Sequence, residues 1–211
     1  MSDKDNILCC IRVGVTGHRA LDNPNTVRTL VKRAIEAEIP RLFPSSSPIM
    51  INGVRANSVS PISYRVLSAL AEGADRLVAL AVLEFPSAQL VAVLPLTVED
   101  YLEDFSTEES KREFKKLLAQ SRHPVYLRSR RIAEDCSDPA ARAELRREAY
   151  RAAGEYVVDQ SDVLIAVWNG EPARGKGSTA EIVEYALSQG RPAIRIWNGN
   201  LVHLNPGEEQ P

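Results

Sequence analysis

The sequence predicts a single α/β domain, built as a doubly wound, mainly parallel sheet with helices on both faces. Three observations predict it. Apolar, β-rich runs alternate with helical patterns from end to end, several of those runs stop at glycine turns that open into a helix, and no repeat, low-complexity tract or linker divides the chain. Parallel strands need a helical crossover, so this alternation builds a sheet covered on both sides. The 211 residues suit one large domain. With 44% apolar and 26% charged residues, near the globular average, the chain can bury a core.

Each element follows from local pattern. "CCIRVGVTG" (9–17) reads as a buried strand ending in a glycine turn. Residues 26–43 place Val27, Leu30, Val31, Ala34 and Ile35 at helical spacing, with Pro40 near the end. Residues 44–61 have no sustained period and read as an irregular excursion. "SYRVLSAL" (63–70) is a second strand that turns through "EGAD" into a helix, and "AQLVAVLPL" (88–96) is a third. A helical stretch from Val98 to Gln120 breaks near Ser106, where "STEE" has the form of a capping box. "PVYLRS" (124–129) is a fourth strand. A long helix over 138–161 follows, with Asp138 as its cap and Pro139 in its first position. "DVLIAVW" (162–168) is the clearest strand; helix 178–189 and strand "PAIRIW" (192–197) complete the set. The expected organisation is a disordered N-terminus at 1–8, the domain at 9–198, and a C-terminal tail at 199–211 whose "NPGEEQP" is frayed.

Bulk properties exclude some functions. A net charge of −2 argues against a dedicated nucleic-acid binder, which carries a basic excess. No apolar run approaches the roughly 20 residues of a membrane helix. The polar start "MSDKDN" lacks the basic flank and apolar core of a secretory signal. Cys9, Cys10 and Cys136 show no CxxC or histidine spacing, so idle cytosolic thiols are expected rather than a metal site. The expectation is a cytoplasmic domain without metal or cofactor and without membrane insertion.

In doubly wound sheets, ligands bind beyond the carboxyl ends of the strands where the winding reverses. After strand one, "GVTGHRA" (14–20) offers Gly14 and Gly17 for close backbone approach, and Thr16, His18 and Arg19 as donors to an anion. Only a G-x-x-G remains of a dinucleotide fingerprint, and no acid ends strand two to take a ribose. Histidine is the residue type for a sensor or an acid near neutral pH, although no partner for His18 is visible in the sequence. After strand two, Gly73 permits the turn. Asp75 sits at a helix entrance, either as a simple cap or beside amides that face a ligand. After strand three, Tyr101 and Phe105 share a helical face, as core packing or as a lid that stacks on a base. Glu99, Asp100, Glu103 and Asp104 read as a solvated face.

"GEPARGKG" (170–177) nearly matches the phosphate-loop pattern, but Gly177 stands where the magnesium-binding hydroxyl belongs. Too little chain follows for the rest of such a nucleotidase. The general physics survives: Gly175 and Gly177 expose amides, Ser178 and Thr179 add hydroxyls, and a helix start favours an anion, reinforced by Arg174 and Lys176. The plain alternative is a capped helix with a flexible loop before it.

"GVTGHR", "EGADRLVA", "YVVDQSDVLIAVWNG" and "ARGKGSTAEIVEYA" occur together and in order. In that arrangement the chain resembles the SLOG superfamily, which groups the Lonely guy phosphoribohydrolases with the DNA-processing protein A fold. The resemblance covers about residues 11 to 197 and implies a Rossmann-like sheet with a nucleotide-derived ligand across its carboxyl edge. It implies a ligand-binding set of Gly14, Thr16, Gly17, His18 and Arg19, with Gly73, Asp75, Asn169 and Gly170 nearby. Gly175, Lys176, Gly177, Ser178 and Thr179 would face the phosphate. The hydrolases' P-G-G-x-G-T-x-x-E aligns with residues 173–181, keeping the last glycine, the hydroxyl and Glu181 but not the opening Pro-Gly. Their Met-x-Glu-Arg-Lys arginine segment has no counterpart; "RSRR" (128–131) reads as solvated charge. Two functions are therefore expected. The first is a sensor or binding module for a nucleotide, such as an NAD- or ADP-ribose-derived signal, in bacterial signalling or defence. A separate effector protein or self-assembly would carry its output. The alternative is a nucleoside 5'-monophosphate phosphoribohydrolase, with Glu181 as the catalytic carboxylate and His18 or Asp75 as the acid. Nucleic-acid handling is disfavoured by charge, although "RSRR" and "ELRREAYR" (144–151) could form a local basic patch.

Overall fold

The computed structural model describes residues 9–43, 50–51, 54–55, 62–173 and 175–208. The expected disorder at 1–8, part of the excursion at 44–61, and Arg174 lie outside the described residues. In chain order the first elements are β1 (Cys9–Gly17), α1 (Pro24–Arg33), a π-helical segment (Ala34–Glu38), α2 (Ile39–Leu42), and the short hairpin strands β2 (Met50–Ile51) and β3 (Val54–Arg55). Then come β4 (Ile62–Ser68), α3 (Ala74–Leu83), β5 (Gln89–Leu94), α4 (Val98–Leu102), α5 (Glu108–Gln120) and β6 (Val125–Tyr126). α6 (Ile132–Asp135), α7 (Pro139–Asp159), β7 (Val163–Val167), α8 (Thr179–Ser188), β8 (Ala193–Trp197) and β9 (Asn200–Leu204) complete the chain.

The main sheet runs β6-β5-β4-β1-β7-β8-β9, parallel throughout except for β9. β1 is central: Val13 pairs with Val66 on β4 and with Val163 on β7. The chain winds outward from β1 through β4, β5 and β6, then returns and winds the other way through β7 and β8. The reversal falls between β1 and β7. Val13, Val15 and Val66 pack with Ile35, Val78 and Phe114 on one face, while Leu164 and Ala166 pack with Val158 and Val183 on the other. Gly14 is part of this packing. A Cβ there would lie 2.5 Å from Ser161 Oγ and 3.0 Å from Val157 Cγ1, so glycine lets α7 close on β1. No helix among the described residues is long and apolar enough to cross a membrane.

The departures from the sequence reading have local causes. The helix expected over 26–43 starts at Pro24, capped by Asn23, and is interrupted because Pro40 has no N–H for the regular ladder. The backbone widens just before it, with Ile39 N–H bonding back to the Ala34 carbonyl. Thr107, not Ser106, caps α5, by accepting the Ser110 N–H. The strand expected over 124–129 shrinks to two residues. The sheet also continues past residue 198, because Asn198 and Gly199 take positive φ and turn the chain back as β9.

The acidic run is a solvated face only in part: Glu99 and Glu103 are exposed, whereas Asp104 is half-buried and Asp100 is buried. The Asp100 carboxylate accepts hydrogen bonds from Ile132 N–H at 2.7 Å and Arg131 Nε at 2.8 Å. Burial opposes its ionisation, but those donors outweigh burial and hold its pKa below the usual carboxylate value. Arg146 on α7 binds Glu103 at 2.8 Å and Asp104 at 2.9 Å. Tyr101 and Phe105 are core residues packed on Phe114, not a mobile lid. Replacing Asp100 by Ala should lower the unfolding free energy in urea by about 2–3 kcal/mol, less than for a fully buried pair because Arg131 is partly solvent-screened. The exposed neighbour Glu99→Ala should cost under about 0.5 kcal/mol.

Candidate functional site: a cleft where the winding reverses

The turn after β1 is clamped from two sides. His18 N–H donates to the Val167 carbonyl of β7 at 3.0 Å, and Ala74 N–H of α3 donates to the His18 carbonyl at 3.0 Å. The first amide of α3 thus holds the turn instead of facing a ligand. Gly73, at φ +81, is where a Cβ would lie 2.1 Å from the Arg19 carbonyl, so only glycine allows the approach. A Cβ at Gly17 would likewise lie 2.5 Å from the Ala74 Cβ. Beyond β7, Asn169 N–H donates to His18 Nε2 at 3.3 Å, and Trp197 packs edge-on against the imidazole. Asn169 Oδ1 accepts the Glu171 N–H at 3.1 Å, and Gly170 turns the chain at φ +86.

Opposite this turn stands the start of α8. Ser178 caps it, its Oγ accepting the Glu181 N–H at 3.4 Å, while its own N–H is spent on the Gly175 carbonyl at 3.2 Å. Gly177 N–H donates to Glu181 Oε2 at 2.5 Å. Among the described residues, that leaves the amides of Thr179 and Ala180 without a hydrogen-bond partner at the positive end of the helix. Gly17, His18, Arg19, Trp168, Asn169 and Gly177–Ala180 wall one cavity of about 380 Å³. The β1 turn and the α8 start therefore share a cleft that can hold an anion.

Several expected residues play other parts. Lys176 turns away from the cleft to Glu144 on α7, at 2.6 Å. Gly175, at φ +151, has open space around it and shapes the loop. Glu181 is tied into the cap through Oε2, and Arg151 lies 3.4 Å from its Oε1; Ser178, Thr179 and Ala180 form the cleft wall there.

A smaller inner cavity of about 140 Å³ adjoins the cleft and shares Gly17, Arg19, Gly177 and Thr179 with it. Thr16, Asp75, Tyr101 and Tyr150 line its depths. Asp75 is buried behind the helix start. Gly73 takes the cap position, and the Asp75 carboxylate reaches back to Ala71 N–H at 3.4 Å. Burial pushes its pKa up to about 7, against the pull of that amide and of Arg19 and Arg76. Arg19 lies over the Tyr150 ring, 5.9 Å from its centroid, and makes no ion pair among the described residues. Burial, followed by the hydrogen bond to Asp104, pushes the Tyr150 hydroxyl up to about 12. The sequence reading missed Ala180, Trp168, Trp197 and Tyr150. A turn after β7 could have pointed to Trp168, but Tyr150 lies mid-helix and reaches the site only because α7 crosses behind β1.

A comparison with solved structures is consistent with this architecture. DNA processing protein A from Streptococcus pneumoniae superposes with a TM-score of 0.52 at 16% identity, over 89% of this chain and 50% of that one. The fold is Rossmann-like and similar to that protein's. This chain spans half of its length. No protein-family model and no curated protein matches the sequence.

The Asp75 environment predicts a pH signature. An unfolded Asp releases its proton near pH 3.9, whereas the folded one keeps it to about 7. Between those values the folded state binds more protons, so stability attributable to Asp75 falls as pH rises. Asp75→Asn should therefore gain on the wild type by about 2 kcal/mol between pH 5 and pH 8 in urea unfolding. A constant difference would contradict this environment.

Proposed function

We propose that the cleft binds a nucleotide or nucleotide-derived small molecule, with a phosphate on the Thr179 and Ala180 amides, as a sensor or binding module of SLOG type. One observation carries the reading: two unpartnered helix-start amides face Arg19, an unpaired cation among the described residues, across the point where the winding reverses. His18, held by Asn169, lines the wall with Trp168, Glu171 and Pro172. Ligands of the NAD or ADP-ribose class suit a cleft that continues into a second chamber. The output of such a module passes to a partner protein or to self-assembly.

The position of Glu181 favours binding over cleavage. A glycosidic role needs a carboxylate free at the sugar, whereas Oε2 of Glu181 takes a cap amide and Oε1 lies 3.4 Å from Arg151 on α7. The arginines that could have made a basic patch also favour a small ligand over nucleic acid. Arg128 pairs with Asp135, Arg131 with Asp100, Arg146 with Asp104, Arg147 with Glu144 and Arg151 with Glu155.

Thr179→Pro isolates the amide. Thr179 is the first helical residue, where proline is tolerated, and Ser178 at φ −72 and ψ 154 already has the backbone that precedes proline. The variant should unfold within about 0.5 kcal/mol of wild type, yet bind AMP, NAD or ADP-ribose about tenfold more weakly by calorimetry. Thr179→Ala, which keeps the N–H, should lose less. Equal affinity in the proline variant would refute the assigned phosphate position. In long incubations with AMP, chromatography should find no free adenine. Base release by wild type, abolished in Glu181→Gln, would instead establish a glycosidase.

A further inference from the structure

The inner cavity holds a buried carboxyl that anion binding at α8 does not use. Asp75 lines that cavity together with Arg19 and Thr179, and the two chambers share Gly17, Arg19, Gly177 and Thr179. A group esterified to a phosphate on Thr179 and Ala180 therefore starts at the mouth of the inner chamber.

Its chemistry is set by the walls. Tyr150 has spent its hydroxyl on Asp104. The Asp75 carboxylate takes an amide hydrogen from Ala71 at 3.4 Å, which leaves lone pairs for further donors. An apolar group, or one that only accepts, would desolvate this carboxylate further with nothing in return. A hydroxyl-bearing group would satisfy it, as acidic side chains do with ribose hydroxyls in mononucleotide-binding sheets. Resting on the nucleotide reading above, we infer that the phosphate is carried on a pentose that enters the inner cavity and donates a hydroxyl hydrogen bond to Asp75. Asp75 thus supplies from the start of α3 the acid that is missing at the end of the second strand. The groups that face it are Arg19 from the β1 turn, Arg76 on α3 and Tyr101 on α4, with Tyr150 and Asp104 beyond. Because burial holds Asp75 near pH 7, donation to its ionised form strengthens as pH rises through that value.

Inorganic phosphate and ribose 5-phosphate, titrated into the full chain by calorimetry, test this. In the wild type at pH 8, ribose 5-phosphate should bind about tenfold more tightly than phosphate, the worth of one hydrogen bond to a charged group. In Asp75→Asn that advantage should shrink to about twofold. The wild-type advantage should also grow from pH 6 to pH 8 by more than in the variant. Asp75→Ala serves where the asparagine variant fails to fold. A sugar advantage that survives loss of the carboxylate, or that is absent from wild type while phosphate still binds, overturns this inference and leaves the nucleotide reading standing. If neither probe binds, both fall.

Discussion

The His18–Arg19 turn is wedged between β7 and α3, and the geometry of the cleft depends on that wedge. One backbone hydrogen bond ties it to Val167 and another to Ala74, both at 3.0 Å. Two glycines make room: a Cβ at Gly73 would overlap the Arg19 carbonyl, and one at Gly17 would strike Ala74. With its backbone held this way, Arg19 sits where the outer and inner cavities meet. A larger residue at either glycine would have to push α3 off the sheet or swing the turn out of the cleft.

The anion donors proposed for the cleft are mainly backbone. Of the nearby cations, Lys176 is spent on Glu144, and Arg151 lies between Glu155 and Glu181. Thr179 and Ala180 supply oriented N–H dipoles that need no reorganisation to receive an anion. The Ser178–Glu181 cap makes this possible. By consuming the neighbouring donors inside the protein, it leaves two amides aimed at the cleft and fixes their direction. The carboxylate of Glu181 is thus held within the helix cap.

The fold was legible because its signals are local and periodic. "DVLIAVW" is apolar on every residue that becomes β7, and all five residues of that strand are buried. Asp138 and Pro139 marked the start of α7 correctly. The site was legible in outline, since loop glycines and a capped helix after strand ends are themselves local features. Their division of labour was not. Gly14 and Gly17 look alike in "GVTG", yet one faces α7 and the other α3, a distinction set by strand alternation and by neighbours far away in sequence. The same holds for the acidic run 99–104. It reads as solvated until α7 and the segment after β6 bring Arg131 and Arg146 over it. Tyr150 and Asp75 reach one cavity from elements about 75 residues apart, and no periodicity encodes such a meeting.

The central claim is that an anion is held jointly by the α8 start and the β1 turn. Amide nitrogen–proton correlation spectra recorded during titration with inorganic phosphate test it most directly. The account predicts that the largest shifts fall on Thr179 and Ala180, with smaller ones on Gly17, His18 and Arg19, all following one saturation curve. Shifts confined to other surfaces, such as the exposed basic residues Arg65, Arg122 and His123 at the opposite edge of the sheet, with Thr179 and Ala180 unmoved, would contradict it.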